Sequence, residues 1–273
     1  MLKVEQLSLH FADRGQKEEV VRDVSFEIGD GEILGIVGES GSGKTMTALT
    51  IAGLKKEDAI LTNGRIWLDE TDLLRLDGAQ MRKVQGAEIS MIFQEPMTAL
   101  NPTMKIGRQI EETLLLHTNL SKAERKERVI QAMEEVELKN PRELYGKYPY
   151  ELSGGMRQRV MIAAAIVSRP KLLIADEPTT ALDVSTQESI LQLLKKLNRK
   201  YGMSILFISH NLRVVGELCE RVLVMKDGKV IEEGATEKIF ADPKEEYTKE
   251  LIAAIPVRKE GNRYYELLRR EQN

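Results

Sequence analysis

Ile33-Leu34-Gly35-Ile36-Val37-Gly38-Glu39-Ser40-Gly41-Ser42-Gly43-Lys44-Thr45 decides how this chain is read. Its first five residues form a short apolar run of the kind found in strands buried on both faces. The next eight match G-x-x-x-x-G-K-[ST], and residues 45–54 continue as a helix. In that setting the glycines let the backbone curl until successive N–H groups point inward at phosphate oxygens. The helix that follows directs its positive end to the same spot. Lys44 is then placed to neutralise the outer phosphates, Thr45 to hold magnesium through its hydroxyl, and Thr47 follows in the first turn. The expected ligand is a nucleotide, bound by residues 38–45 and Thr47.

Working outward, two further apolar runs, residues 172–175 and 205–208, also end in polar residues. An open parallel sheet collects its ligands at such strand ends. The first run leads into Asp176 and Glu177. Asp176 suits water-mediated magnesium binding, and Glu177 could polarise an attacking water as general base. The second run leads to His210. A third element, Leu152-Ser153-Gly154-Gly155-Met156, opens a helix whose Val160, Ala163, Ala164 and Val167 are spaced for burial. A Ser-Gly-Gly turn at a helix start is itself an anion site, because small residues expose the backbone N–H groups. One chain thus carries two phosphate-binding helix starts.

The remaining pattern supplies the frame. Leu2, Val4, Leu7, Leu9 and Phe11 alternate as in a strand, and residues 20–28 follow after a charged loop. Asn63-Gly64 between two apolar stretches predicts a second hairpin, and Lys226-Asp227-Gly228-Lys229 a closing one. Helical periodicity takes over across residues 97–150. Ile106, Ile110 and Leu114 make one face. Val129, Ala132, Met133 and Val136 make another, entered through a capping box at Ser121 and Glu124. Ile190, Leu193, Leu194 and Leu197 form an amphipathic face ending near Gly202. The charged residues from Ala241 onward are expected to form a helical tail.

Composition excludes several classes. The 273 residues are 42% hydrophobic and 30% charged, with a mean hydropathy of -0.30, the profile of a soluble globular protein with a sizeable core. The longest apolar run, residues 160–167, falls far short of the roughly twenty residues that cross a bilayer. No basic segment leads into an apolar core at the start, so no secretory signal is evident. Cys219 is the only cysteine, which excludes an internal disulfide and a multi-thiolate cluster and suits a reducing compartment. A net charge of -3 makes no case for nucleic acid. His10 and His117 have no ligand-spaced companions, and the methionines read as adaptable packing.

Together these motifs resemble the ATP-binding subunits of ABC transporters, over almost the whole chain. The resemblance implies an α/β P-loop fold: a RecA-like core with an antiparallel β subdomain (about residues 1–96 and 160–240) and an inserted helical subdomain (about 97–159). These form a single nucleotide-binding domain over 1–255, with a short tail at 241–273 overlapping its end. It implies an ATPase that uses ATP and magnesium. Gln94 matches the loop glutamine that senses magnesium and water, Asp183 the loop following the acidic pair, and His210 the switch histidine at the γ-phosphate. Phe11 takes the place of the aromatic that stacks on adenine. In this family two cassettes face each other head to tail, so residues 152–156 are presented to the partner's ATP.

A closer likeness, to the peptide and nickel uptake subfamily, rests on Met91-Ile92-Phe93-Gln94-Glu95-Pro96-Met97-Thr98-Ala99-Leu100-Asn101-Pro102, on Met156 in the signature, and on Phe240-Ala241-Asp242-Pro243 followed by Tyr247-Thr248. It implies a peripheral subunit at the cytoplasmic face of the membrane. Its partners would be a related second cassette, two permeases and, indirectly, an external binding protein. Nucleic acid is not among them. With Cys219 alone, the iron–sulfur cluster of some longer relatives is not expected. Peptides are the expected cargo, with nickel the alternative. A ribosome- or nucleic-acid-associated ABC ATPase is a lesser one, and a small-molecule kinase leaves residues 153–155 unexplained.

Overall fold

The computed structural model describes residues 1–13, 16–55, 59–94, 99–180 and 182–255. It divides into two compact units, Met1–Leu76 with Leu206–Asn273, and Asp77–Ile205. Of the expected tail, residues 256–273 lie outside the described residues, as does Met97.

The first unit contains an antiparallel sheet in the order β2-β1-β4-β5, built from β1 (Leu2–Asp13), β2 (Gln16–Ile28), β4 (Ala59–Leu68) and β5 (Thr71–Asp72). Alternation sends Leu2, Val4, Leu7 and Leu9 into the core, each at most 1% exposed. The hairpin expected at Asn63-Gly64 is not there: β4 runs through it as one strand. Its partner β1 shifts register between Glu5 and Ser8 at this level, and Gly64 takes up the mismatch at φ 123. A Cβ on Gly64 would lie 2.8 Å from the Leu7 Cα. Here Asn-Gly makes a bulge rather than a reversal, because pairing along both halves of β4 outweighs the dipeptide's turn preference.

The same unit holds strands in the order β10-β9-β3-β8: β3 (Ile33–Val37), β8 (Ser204–Ser209, cut by the division after Ile205), β9 (Arg221–Lys226) and β10 (Lys229–Ala235). β3 is parallel to β9 and buried along its whole length. β9 and β10 form the expected hairpin, with Asp227 at φ 50 and Gly228 at φ 80, both in the left-handed region that a tight turn demands. Helices α1 (Lys44–Ile51), α8 (Leu212–Leu218), α9 (Thr236–Ala241) and α10 (Glu246–Ala253) complete the unit.

In the second unit β6 (Ile89–Ile92) and β7 (Leu172–Asp176) pair in parallel, with β7 next to the start of β8. Its helices are α2 (Gly78–Val84), α3 (Ile106–His117), α4 (Lys122–Glu135), α5 (Pro141–Leu144), α6 (Gly154–Ile166) and α7 (Val184–Tyr201). The Ser121–Glu124 capping box forms as read, and α7 ends on Gly202 at φ 63. α3, α4 and α6 pack on one another, burying Ile106, Ile110, Leu114, Val129 and Met133.

A buried polar cluster ties this bundle together. The Glu111 carboxylate, 6% exposed, accepts from Arg125 Nε at 2.9 Å and from the Tyr145 hydroxyl at 2.9 Å. Both of its oxygens are therefore satisfied, which burial of a charge requires. Burial, then the bond to Glu111, pushes the Tyr145 hydroxyl up to about 12. Gly107 is what lets that ring approach α3: a Cβ there would sit 2.2 Å from the Tyr145 ring. Gly107→Ala is expected to destabilise the fold by about 2 kcal/mol despite its better helix propensity, because the ring must move off Glu111. Urea unfolding measures this, and an unchanged midpoint would show that the ring is free to shift.

Candidate active site

The first unit holds the glycine-rich loop. After β3 the chain turns through Gly38, Gly41 and Gly43, with φ of 155, 84 and 97. Two of these are also crowded: a Cβ on Gly38 would meet the Met225 carbonyl oxygen at 2.1 Å, and one on Gly43 the Val20 carbonyl oxygen at 2.6 Å. Gly41 has open space around it, so its backbone can be approached closely by a ligand. Lys44 is 4% exposed. Its Nζ donates to the Gly38 carbonyl at 2.7 Å, the Glu39 carbonyl at 2.7 Å and Ser42 Oγ at 3.2 Å. A buried ammonium at the start of a helix is thus held by the loop's own oxygens.

Glu39, Ser40 and Thr45 are exposed at the loop, while Ser42 is buried. Thr47 faces inward: it is 0% exposed and its hydroxyl donates to the Gly43 carbonyl at 3.0 Å. Phe11 lies half-buried on β1, opposite Glu18 of β2 and Ala59 of β4. His210 is exposed directly after β8, next to Asn211, which caps α8.

The second unit brings together a set of carboxylates and amides. β6 and β7 are in register with Ile92 opposite Ala175, so the residues just past each strand become neighbours. Gln94 Nε2 donates to Glu177 Oε2 at 3.0 Å, and Thr180 Oγ1 donates to the same oxygen at 2.9 Å. Glu177 adopts φ 47, a left-handed backbone that a non-glycine residue holds only when its surroundings impose it. Asp176, 4% exposed, ends β7.

Asp183 caps α7, accepting from Ser185 Oγ at 2.6 Å, Thr186 Oγ1 at 2.7 Å and the Thr186 N–H at 3.0 Å. These bonds, led by that from Ser185, hold its carboxyl far below the usual range. Ser153 caps α6, its Oγ accepting from the Met156 N–H at 3.3 Å. A Cβ on Gly155 would meet the Thr186 side chain at 3.2 Å, so the two caps adjoin. Ser153 and Gly155 of one and Ser185 and Thr186 of the other line an open hollow of about 450 Å³ with Met156 and Arg159. Leu152 is buried behind them.

The family model for ABC transporters matches residues 21–180. The dipeptide transport ATP-binding protein DppD of Haemophilus influenzae is 45% identical over 268 residues, 98% of this chain and 81% of that protein. The oligopeptide transport ATP-binding protein OppD of Bacillus subtilis is 46% identical over 257 residues, 94% of this chain and 72% of the relative. The chain belongs to the ABC transporter family. Among solved structures, a dimer of the ATP-binding cassette MJ0796 in a post-hydrolysis state, bound to ADP and Pi, superposes with a TM-score of 0.78 at 31% identity. That match covers 86% of this chain and 99% of the other. This ABC protein therefore has the cassette ATPase fold.

The donor chemistry of the cassette suits a magnesium nucleotide. Thr45 and Gln94 offer neutral oxygens and Asp176 a carboxylate, all hard donors. Among the described residues no group of three or more His, Cys, Asp or Glu forms a metal cage. A cage is not needed where substrate phosphates supply several ligands. A hollow of about 800 Å³ in the first unit lies along the antiparallel sheet by Lys3, Gln6, Arg65 and Arg221 and contains none of the motif residues. Among the described residues, no helix of the cassette is long and apolar enough to cross a membrane.

Three contributors escaped the sequence reading. Thr180 was visible as part of a loop, but nothing local showed its hydroxyl on Glu177. Arg159 bridges α6 to its neighbours, donating to the Val136 carbonyl at 2.5 Å and to Ser189 Oγ at 2.7 Å. Tyr247 reaches the glycine-rich loop from 208 residues away. No spacing rule connects such positions.

Proposed function

We propose that this chain is the ATP-hydrolysing subunit of an importer for di- or oligopeptides, working with a second, related cassette and two membrane permeases. The observation that carries this reading is the 45% identity to a dipeptide transport protein over 98% of the chain. The likeness to an oligopeptide transport protein supports it, as does one to the glutathione import protein GsiA of Escherichia coli, 46% identical over 94% of this chain and 42% of that longer relative. The chain itself acts at the cytoplasmic face, held there by the permeases. Residues 1–255 form the nucleotide-binding domain, with 97–159 as its helical subdomain and 241–273 as a tail overlapping its end.

In this reading the N–H groups of residues 40–45 surround the phosphates, the Glu39 N–H staying on Tyr247, while Lys44 leaves its loop oxygens to pair with them. Thr47 keeps the loop's shape through Gly43, and Phe11 stacks on the adenine. Glu177 takes the proton of the attacking water, oriented by Gln94 and Thr180, whose donation to one oxygen fixes the carboxylate plane. His210 contacts the γ-phosphate. Thr45 and Gln94, and Asp176 through water, would hold magnesium, which when bound would neutralise charge on the phosphates. Leu152, Ser153, Gly154, Gly155 and Met156 serve the ATP of the partner cassette, and Asp183 locks the adjoining turn against them.

Purifying the chain with its permeases and reconstituting them in vesicles with the external binding protein tests this. ATP-dependent uptake of labelled di- or oligopeptides is expected. A complex that moves nickel and no peptide, or a chain that isolates with ribosomes instead of permeases, overturns the cargo or the transport role respectively.

A further inference from the structure

The phosphate loop is gripped from the far end of the chain. The Glu39 N–H donates to the Tyr247 hydroxyl at 2.9 Å. The carbonyl in the same peptide plane, that of Gly38, accepts from Lys44 Nζ at 2.7 Å. One plane at the head of the loop is therefore held from both sides, by the phosphate-binding lysine and by a tyrosine of α10. The Gly228 N–H adds a bond to the Ser42 carbonyl at 3.2 Å.

Tyr247 is itself well placed. Its side chain is 6% exposed, and Lys226 Nζ sits 4.5 Å from its ring centroid. The entry to α10 is pinned where the Lys244 and Glu245 N–H groups donate to the Glu232 carboxylate of β10 at 2.8 and 3.1 Å. Lys44 has to give up the Gly38 carbonyl when it turns to a phosphate. The Tyr247 hydroxyl then remains as the restraint on that plane, and a loop already fixed loses less freedom when it closes on a ligand.

We propose that Tyr247 is a positioning residue for nucleotide binding, and that α10 thereby sets the ATP affinity of the cassette. This rests on residues 38–45 being the nucleotide-binding loop. Tyr247→Phe keeps the ring and removes only the hydroxyl that accepts from the Glu39 N–H. One lost hydrogen bond predicts ATP binding and KM weakened about five-fold, with kcat changed less than about two-fold.

Amide hydrogen exchange at Glu39 is expected to quicken in Tyr247→Phe and to stay unchanged in Lys249→Ala, an exposed position on the same helix. Melting with and without ATP separates positioning from stability, since positioning shrinks the ATP-induced rise. Wild-type affinity and exchange in Tyr247→Phe, or an equal fall in both melting temperatures, would overturn the proposal. Lys44→Ala keeps the two readings apart. If it abolishes ATP binding while Tyr247→Phe matches the wild type, the loop stands and the tyrosine's role falls. If Lys44→Ala binds ATP normally, the reading of the loop falls and the proposal with it.

Discussion

Glu177→Gln is expected to lower steady-state ATP hydrolysis by about a thousand-fold, in the range that general-base removal produces, while ATP binding stays near the wild-type value. Glutamine keeps the length and planarity of the side chain, and its amide oxygen can still accept from Gln94 Nε2 and Thr180 Oγ1, both now on Glu177 Oε2. The backbone at φ 47 is imposed by the surroundings and is the same for either residue. What is lost is the negative charge that takes a proton from water. The measurement is phosphate release at saturating ATP beside the dissociation constant of ATP. Turnover above about a tenth of wild type would assign the base to another group.

Lys44→Ala is expected to weaken ATP binding by at least a hundred-fold. The ammonium is nine-tenths buried and lies at the start of α1, so no other cation of the loop can replace it. Charge-assisted bonds to phosphate contribute about 1.5–3 kcal/mol each, and Lys44 can make more than one. The substitution also leaves the Gly38 and Glu39 carbonyls without their present donor, so a modest loss of stability in the nucleotide-free protein accompanies it, about 1 kcal/mol. Lys44→Arg is not a conservative control, because a planar fork cannot fill a pocket shaped for a compact point charge. Calorimetric titration with ATP decides the matter, and an affinity within a few-fold of wild type would remove Lys44 from the phosphate site.

Much of this was legible in the chain. The strand, turn and helix around residues 33–51 follow from neighbours in sequence: an apolar run, glycines where φ is positive, and a helix start. The capping box at Ser121, the stop at Gly202 and the turn at Asp227-Gly228 were readable for the same reason, since each depends on the dihedral angles and hydrogen bonds of a few consecutive residues. Asn63-Gly64 shows where that reasoning gives way. Its local preference for a hairpin was correct as a preference, and β1 overrode it by pairing with residues on both sides.

Sequence alone established that a G-x-x-x-x-G-K-[ST] loop, an acidic strand end and a Ser-Gly-Gly helix start occur in one chain, because each is a short-range pattern carried by residues in succession. Only the tertiary structure decided that Gln94 and Thr180 share one oxygen of Glu177, that Lys44 is turned inward onto its own loop, and that Tyr247 holds the Glu39 amide. These depend on strand register and on how distant helices pack. Many side chains spread along the chain set those jointly, and no local window contains them.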